Sequence, residues 1–218
     1  MESASTTQGP GGPPRRIRMA GHALSAIIAR APFLWPLLRG PTQRFWQRAA
    51  GGWDTRTSTA EGMHLAPLMA ACDHLAAPGR ILDLGTGTGA GAYLLAERFP
   101  EAEVWALDLS PAMISAARAK LPAELEGRLH FAVGDAASVP YESASFDLVC
   151  QLNLPLYAAE AVRVLAPGGH VLVASSSGAR TPYYTSEAVL RRRFERLGLK
   201  TIASEQAGRG TYFLARRD

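Results

Sequence analysis

The sequence predicts an α/β protein with a doubly wound, mostly parallel sheet between two layers of helices. Short apolar runs alternate with helical patterns along residues 80–175, which is typical of a parallel sheet covered on both faces. A glycine-rich run follows the first predicted strand directly, as expected where a strand turns into a helix. Because ligands bind at the carboxyl ends of the strands in such sheets, a site is expected there.

Seven short runs rich in β-branched and other apolar residues predict strands. The first five alternate with helices, and the last two predict a closing antiparallel hairpin. The predicted strands cover residues 80–84, 103–108, 129–133, 146–150, 170–174, 199–205 and 211–215. A turn at Pro167-Gly168-Gly169 precedes the fifth strand, because proline and glycine together favour a chain reversal.

Helices are predicted between these strands, where apolar residues recur at helical spacing. The helix after the second strand has a clear start, since Ser110 is a favourable N-cap and Pro111 suits the first helical position. The predicted helices cover residues 90–99, 111–120, 158–165 and 186–197.

The N-terminal part differs in composition from residues 60–218, the predicted main domain. Residues 1–15 are mostly Gly, Pro, Ser and Thr, and we expect a disordered tail. Residues 16–59 predict a helical extension, with a helix at about residues 20–30. Because Arg30, Pro32 and Pro36 interrupt its apolar run, neither a signal peptide nor a membrane-spanning helix is expected. The pattern fits an amphipathic helix packed on the domain, a lid over an apolar substrate, or a peripheral membrane contact.

Charge is distributed unevenly along the 218 residues, which carry 23 Lys and Arg and 19 Asp and Glu. Residues 81–178 hold 11 acidic and 5 basic side chains, so the basic excess lies at the two ends. This distribution argues against a nucleic-acid surface. The two cysteines, Cys72 and Cys150, have no disulfide or zinc spacing, which favours a reducing, cytoplasmic compartment and no metal. An Ala- and Arg-rich composition with two lysines indicates a bacterial source.

The run Asp83-Leu84-Gly85-Thr86-Gly87-Thr88-Gly89 is the most informative motif. Glycines between a strand and a helix let a ligand approach the backbone closely. Asp108 ends the second predicted strand, where a carboxylate can accept both hydroxyls of a ribose. Asp135 follows the third strand in Gly134-Asp135-Ala136, where it can accept a hydrogen bond from an adenine amino group.

With these motifs in order, the chain resembles class I S-adenosylmethionine-dependent methyltransferases of the small-molecule type, as in menaquinone and ubiquinone biosynthesis. The resemblance covers about residues 60–215 and includes 81–89, 107–113, 131–136, 139–140, 145–149 and 163–169. It implies a Rossmann-like, seven-stranded sheet with the hairpin beside the fifth strand. It also implies S-adenosylmethionine as the cofactor. The implied cofactor-binding residues are Asp83, Gly85, Thr86, Gly87, Gly89, Asp108, Leu109, Met113, Asp135, Ala136, Gln151 and Asn153.

For the methyl acceptor, we predict a small apolar or aromatic molecule. No large insertion follows the fifth strand, so the lid must come from the N-terminal segment, which contains Phe33, Trp35, Phe45 and Trp46, with help from Tyr183 and Tyr184. Methyl transfer is an in-line displacement in which positioning supplies much of the rate, so no invariant base is required. Candidate polar or aromatic residues near the acceptor are Trp53, Arg56, His64 and Tyr157, of which His64 and Tyr157 are the catalytic candidates.

Two other hypotheses use the same motifs. An NAD(P)-dependent oxidoreductase is one, because Gly85-x-Gly87-x-x-Ala90 also satisfies the dinucleotide-binding pattern. Asp83 and the Gly134-Asp135-Ala136 element argue against it. The other is a non-catalytic subunit that binds the cofactor and assists a partner. The sequence gives no oligomeric state.

Overall fold

One seven-stranded sheet organises the computed structural model, which describes residues 15–51, 53 and 63–218. Its strands lie in the order β3-β2-β1-β4-β5-β7-β6. Strands β1 to β5 are parallel, whereas β7 runs antiparallel to both β5 and β6. The strands are β1 Arg80–Leu84, β2 Glu103–Asp108, β3 Leu129–Val133, β4 Phe146–Leu152, β5 Leu165–Ser175, β6 Leu199–Ala207 and β7 Gly210–Arg217. The predicted fold class and the position of the closing hairpin are confirmed.

Strand β5 begins five residues earlier than predicted, at Leu165 rather than residue 170. Leu165 pairs with Phe146 and His170 pairs with Leu148, so the residues between them form an irregularity in the ladder. The Pro-Gly-Gly segment, which predicts a turn, is therefore accommodated as a bulge within the strand.

Seven α-helices surround the sheet in the described part of the chain. They are α1 Arg15–Arg30, α2 Trp35–Ala49, α3 Ala66–Cys72, α4 Ala90–Arg98, α5 Pro111–Arg118, α6 Ala158–Val164 and α7 Glu187–Glu195. The N-terminal extension thus has two helices where the sequence predicts one at about 20–30. Pro32 lies at the start of a 3-10 turn, and Pro36 lies in the first turn of α2. A backbone N–H at these positions has no partner within the helix, so proline is compatible with a helix start. Residues 1–14 of the predicted tail lie outside the described residues.

Apolar side chains cover both faces of the sheet, as expected for buried parallel strands. Neighbouring residues of β1 face opposite ways: Ile81 joins one cluster with Leu95 and Leu172, and Leu82 joins the other with Phe146. A third, smaller cluster of Ile28, Trp35 and Tyr157 joins the N-terminal helices to the carboxyl-end side of the sheet. The thiols of Cys72 and Cys150 are buried and free. None of the described helices is long and apolar enough to cross a membrane.

Candidate cofactor and acceptor site

The glycine loop between β1 and α4 crosses the end of β2. The amides of Gly85 and Thr86 both donate to the carbonyl of Leu107, at 2.8 and 2.9 Å. Gly85 has φ +72°, which strains any residue with a side chain, and a Cβ there would lie 2.5 Å from Cδ1 of Leu154 and would displace that side chain. A Cβ at Gly87 (φ +57°) would meet no described atom within 4 Å, so its backbone faces open space in the cavity wall.

Asp83 is a buried carboxylate near the end of β1. Its residue is 2% exposed, and Oδ2 has no hydrogen-bond partner among the described residues. Burial raises the pKa of Asp83 from its usual 3.8 to about 6. A buried carboxylate oxygen without a partner is costly, and a cationic group bound beside it would offset that cost.

Asp108, at the end of β2, hydrogen-bonds to the glycine loop. Its Oδ2 accepts a hydrogen bond from Gly87 N at 2.9 Å, and its Oδ1 accepts one from Ser110 N at 2.8 Å. Each oxygen keeps a second lone pair for a ligand hydroxyl. Burial raises the pKa of Asp108. The Ser110 hydroxyl accepts from Met113 N at 3.4 Å, which confirms the predicted N-cap of α5.

Helix α2 binds the carboxylate of Asp135, in the loop after β3. Trp35 Nε1 lies 3.1 Å from Oδ1 and 2.8 Å from Oδ2, and Arg39 Nε lies 3.1 Å from Oδ2. Ala137 N also donates to Oδ1, at 2.9 Å. Both oxygens are therefore engaged by protein donors, a contact that the sequence analysis missed. Gln43 adds a second attachment of α2 by donating from Nε2 to the carbonyl of Leu109 at 2.9 Å.

A cavity opens where these loops meet at the carboxyl ends of the strands. Gly89 and Gln151 are not among its lining residues: Gly89 begins α4, and Gln151 Oε1 accepts from Tyr157 N at 3.1 Å. The cavity is lined by the other ten predicted cofactor residues, namely Asp83, Gly85, Thr86, Gly87, Asp108, Leu109, Met113, Asp135, Ala136 and Asn153. The structure thus brings most of the predicted set together.

Five aromatic side chains also line the cavity: Trp35, Trp46, Trp53, Tyr157 and Tyr183. Trp46 contacts Trp53 edge to face, with ring centroids 5.3 Å apart, and lies 6.2 Å from Tyr183. Trp35 meets Tyr157 at 5.9 Å. Burial raises the pKa of Tyr183 to about 12, so its hydroxyl keeps its proton at neutral pH.

Three members of the predicted lid do not line this cavity. Phe33 lies in the 3-10 turn before α2 and Phe45 in α2, and both side chains are exposed. Tyr184 borders a separate depression beside β5 and β7. The cavity instead includes Thr42, Thr88, Leu152, Leu154 and Pro155, which the sequence analysis did not assign.

Both catalytic candidates line the cavity. The Nδ1 atom of His64 is buried without a hydrogen-bond partner in the described part of the chain, and burial lowers the pKa of this residue. His64 is therefore neutral at pH 7 and able to accept a proton. Burial raises the pKa of Tyr157, so Tyr157 can donate a hydrogen bond but is a poor base. Arg56 lies outside the described residues.

Asn153 fixes the loop after β4 in an unusual backbone conformation. Its φ is +53°, a left-handed value that asparagine tolerates better than most residues. Its Oδ1 accepts from Ser176 N and its Nδ2 donates to Ser176 Oγ, both at 2.9 Å. These bonds tie the loop after β4 to the loop after β5, next to the cavity.

The lining residues fit the cofactor that the resemblance implies. Asp83 offers the unpartnered Oδ2 to a cationic group, and Asp108 offers free lone pairs to a diol. Leu109, Met113 and Ala136 provide an apolar wall for a base. Among the described residues, no cluster of His, Cys, Asp or Glu could hold a metal ion.

Comparison with known proteins agrees with this fit. Residues 81–169 match the family model described as a methyltransferase domain. The chain is 39% identical over 164 residues to the ubiquinone/menaquinone biosynthesis C-methyltransferase UbiE of Dinoroseobacter shibae, a match over 72% of this chain and 58% of that protein. It is 41% identical over 112 residues to the demethylmenaquinone methyltransferase of Deinococcus radiodurans, over 48% of this chain and 46% of that protein.

A solved structure shows the same fold. A chain from the complex between the Haloferax volcanii Trm112 methyltransferase activator and a methyltransferase has a TM-score of 0.66 and 21% identity, covering 78% of this chain and 96% of that chain. The chain spans about half the length of the curated relatives it matches. By its fold and its matched residues, the chain carries a methyltransferase domain over residues 81–169 and resembles the class I S-adenosylmethionine-dependent methyltransferases.

Proposed function

We propose that this chain methylates a small apolar or aromatic acceptor in the cavity at the carboxyl ends of the strands. The observation that carries the proposal is that two different kinds of residue line the cavity. Asp83, Asp108 and the glycine loop form one part of the lining, and five aromatic side chains form another, of which Trp35 and Trp46 belong to the N-terminal layer, residues 15–49. The first part suits the cofactor, and the second suits an apolar acceptor.

On the cofactor side, Asp83 would offset the positive charge and Asp108 would hold the ribose. When bound, S-adenosylmethionine supplies a methyl group that passes to a nucleophile while the C–S bond electrons return to sulfur. The glycine loop leaves its backbone open to the ligand at Gly87. The adenine would lie against Leu109, Met113 and Ala136, while Asp135 already accepts bonds from Trp35 and Arg39.

On the acceptor side, the aromatic rings favour a flat ring system, because offset and edge-to-face aromatic pairs add to apolar burial. The names of the matched relatives point to quinone precursors as one such class. We propose His64 as the group that takes up the acceptor's proton, since it is neutral and half-buried beside the cavity. Tyr157 would orient the acceptor as a hydrogen-bond donor. Such acceptors partition into lipid, so the proposal includes peripheral contact between the N-terminal layer and a membrane.

Calorimetry of the purified chain with S-adenosylmethionine and S-adenosylhomocysteine, and NADH as the control, tests the cofactor assignment. We expect binding of the first two in the micromolar range and none of NADH. Release of S-adenosylhomocysteine in the presence of a soluble hydroquinone or naphthoquinol then tests the acceptor class. Cofactor binding without turnover on any aromatic acceptor would favour the non-catalytic partner subunit. NADH binding would favour the oxidoreductase, which the matched family does not support.

A further inference from the structure

Helix α2 has two unlike faces. Trp35, Thr42 and Trp46 line the cavity, and Arg39 contacts Asp135. With 3.6 residues per turn, positions 37, 41, 44 and 48 fall on the opposite side of the helix. All four are exposed and comprise Leu37, Pro41, Arg44 and Arg48, and Phe33 in the preceding turn is 76% exposed.

Helix α1 repeats this arrangement. Gly21 and Ile28 are buried, whereas Arg16, Met19, Ala23 and Arg30 are exposed at helical spacing along the other side. The outward face of the N-terminal layer is defined here as these exposed residues of α1 together with Phe33, Leu37, Arg44, Phe45 and Arg48. This face therefore combines large apolar side chains with arginines.

The charge of the layer has a single sign. Residues 15–53 contain seven arginines and no Asp or Glu. Exposed apolar side chains among arginines are the composition of helices that lie in the interface of a bilayer with anionic headgroups. Four of these arginines, Arg16, Arg30, Arg44 and Arg48, lie on the outward face, so a second copy of this chain would place like charges against like charges, which disfavours a symmetric contact.

We propose that the outward face of the N-terminal layer docks on a bilayer surface rich in anionic lipid headgroups. The proposal rests on the membrane contact included in the proposed function and names the face and the lipid charge that make it. Phe33, Leu37 and Phe45 would enter the boundary between headgroups and acyl chains, while Arg44 and Arg48 would pair with phosphates. Because the inner side of α2 lines the cavity, an acceptor dissolved in the bilayer would reach the site past this helix.

Co-sedimentation of the full chain with vesicles tests the docking. Vesicles of phosphatidylcholine alone are compared with vesicles that also contain phosphatidylglycerol. We expect binding at least tenfold tighter to the anionic vesicles, weakened by added salt. Phe33→Ser with Leu37→Ser, and separately Arg44→Glu with Arg48→Glu, should each weaken binding at least tenfold.

Helix α7 offers a matched control, because Arg192 and Arg193 are exposed and basic but belong to a helix that packs on β6 and β7. Arg192→Glu with Arg193→Glu should change vesicle binding less than twofold, and Val189→Ser controls for loss of an exposed apolar side chain. All variants should bind S-adenosylhomocysteine within twofold of the unmodified chain, a readout that tests the proposed function separately.

Three results would overturn the docking proposal. The first is absence of binding to anionic vesicles, and the second is an equal loss of binding in the α7 control. The third is a dimer in solution that Phe33→Ser with Leu37→Ser abolishes without vesicles, which would assign this face to a second copy of the chain.

Discussion

The indole Nε1 of Trp35 lies 2.8 Å from Oδ2 of Asp135, across a sequence separation of 100 residues. Together with Arg39, this contact fastens the N-terminal layer to the loop after β3. The layer therefore closes over the cavity through a charged hydrogen bond, in addition to the apolar contacts of Ile28, Trp35 and Tyr157.

Asp135→Asn should loosen the layer. Hydrogen bonds to charged groups contribute about 1.5–3 kcal/mol, and the amide keeps only part of this interaction. We expect trypsin to cut at arginines within residues 15–48 about tenfold faster. Trp35→Phe removes the indole N–H but keeps a ring against Tyr157, so it should give a smaller change of the same kind. If Asp135→Asn weakens S-adenosylhomocysteine binding more than tenfold without faster cleavage, Asp135 acts as an adenine ligand instead.

Asp108→Ala should weaken S-adenosylmethionine binding by roughly 2–3 kcal/mol, the contribution of charged hydrogen bonds in a partly buried site. The same change removes the acceptors for Gly87 N and Ser110 N. Asp108→Asn is the informative partner, because it keeps one carbonyl oxygen for the backbone. Calorimetry should show weaker binding for both variants. Affinity within twofold of the unmodified chain would identify Asp108 as a cap alone.

Asp83→Asn should make the cofactor-free chain more stable and should weaken its binding of the cofactor. The pKa of Asp83 in the folded chain, about 6, exceeds its usual value of 3.8. The fold therefore favours the neutral carboxyl, and the stability that this group contributes at low pH is lost as pH rises through 6. At pH 7.5 and without cofactor, the variant should therefore be more stable, by up to about 3 kcal/mol at 1.36 kcal/mol per pKa unit. At pH 4 the two proteins should match in thermal unfolding.

The same variant should bind the cationic cofactor at least tenfold more weakly, since the compensating carboxylate is gone. In the unmodified chain, affinity should fall as pH drops through about 6, and Asp83→Asn should flatten that profile. A variant that is less stable at pH 7.5 and binds normally would show that Asp83 has a structural role.

Deletion of residues 1–50 should abolish turnover while leaving cofactor binding mostly intact. The deletion removes Trp35, Thr42 and Trp46 from the acceptor side of the cavity, whereas Asp83 and Asp108 are untouched. Turnover measured by S-adenosylhomocysteine release should fall at least 100-fold, a loss of about 3 kcal/mol in transition-state stabilisation. Unchanged turnover in the truncated chain would rule out the layer as the acceptor lid.

The central part of the fold could be predicted because its signals are local. The first three strands are buried apolar runs that end at glycine or polar residues, and the structure gives them the predicted bounds. The meeting of Asp83, Gly87 and Asp108 follows from the rule that parallel strands share one carboxyl edge. The geometry of the connections was harder to predict. The segment Pro167-Gly168-Gly169 is compatible with a turn and with a strand bulge, and its pairing with β4 in the folded chain favours the bulge.

The N-terminal layer could not be predicted in the same way. Proline at positions 32 and 36 is equally compatible with ending a helix and with starting one, and only the packing of Trp35 decides between them. No sequence pattern names Asp135 as the partner of Trp35 and Arg39, because the contact depends on how two distant segments dock. This is also why Phe33 and Phe45, predicted as lid residues, are exposed.

The bonds between Asn153 and Ser176 limit which residues evolution can place at position 153. Glycine would accept the left-handed backbone but would lose every bond to Ser176, and aspartate would keep the acceptor but lose the amide donor. Alanine or a β-branched residue would satisfy neither requirement. In a saturation library screened for cofactor retention, this position should thus tolerate few codons, because both loops beside the cavity depend on these bonds.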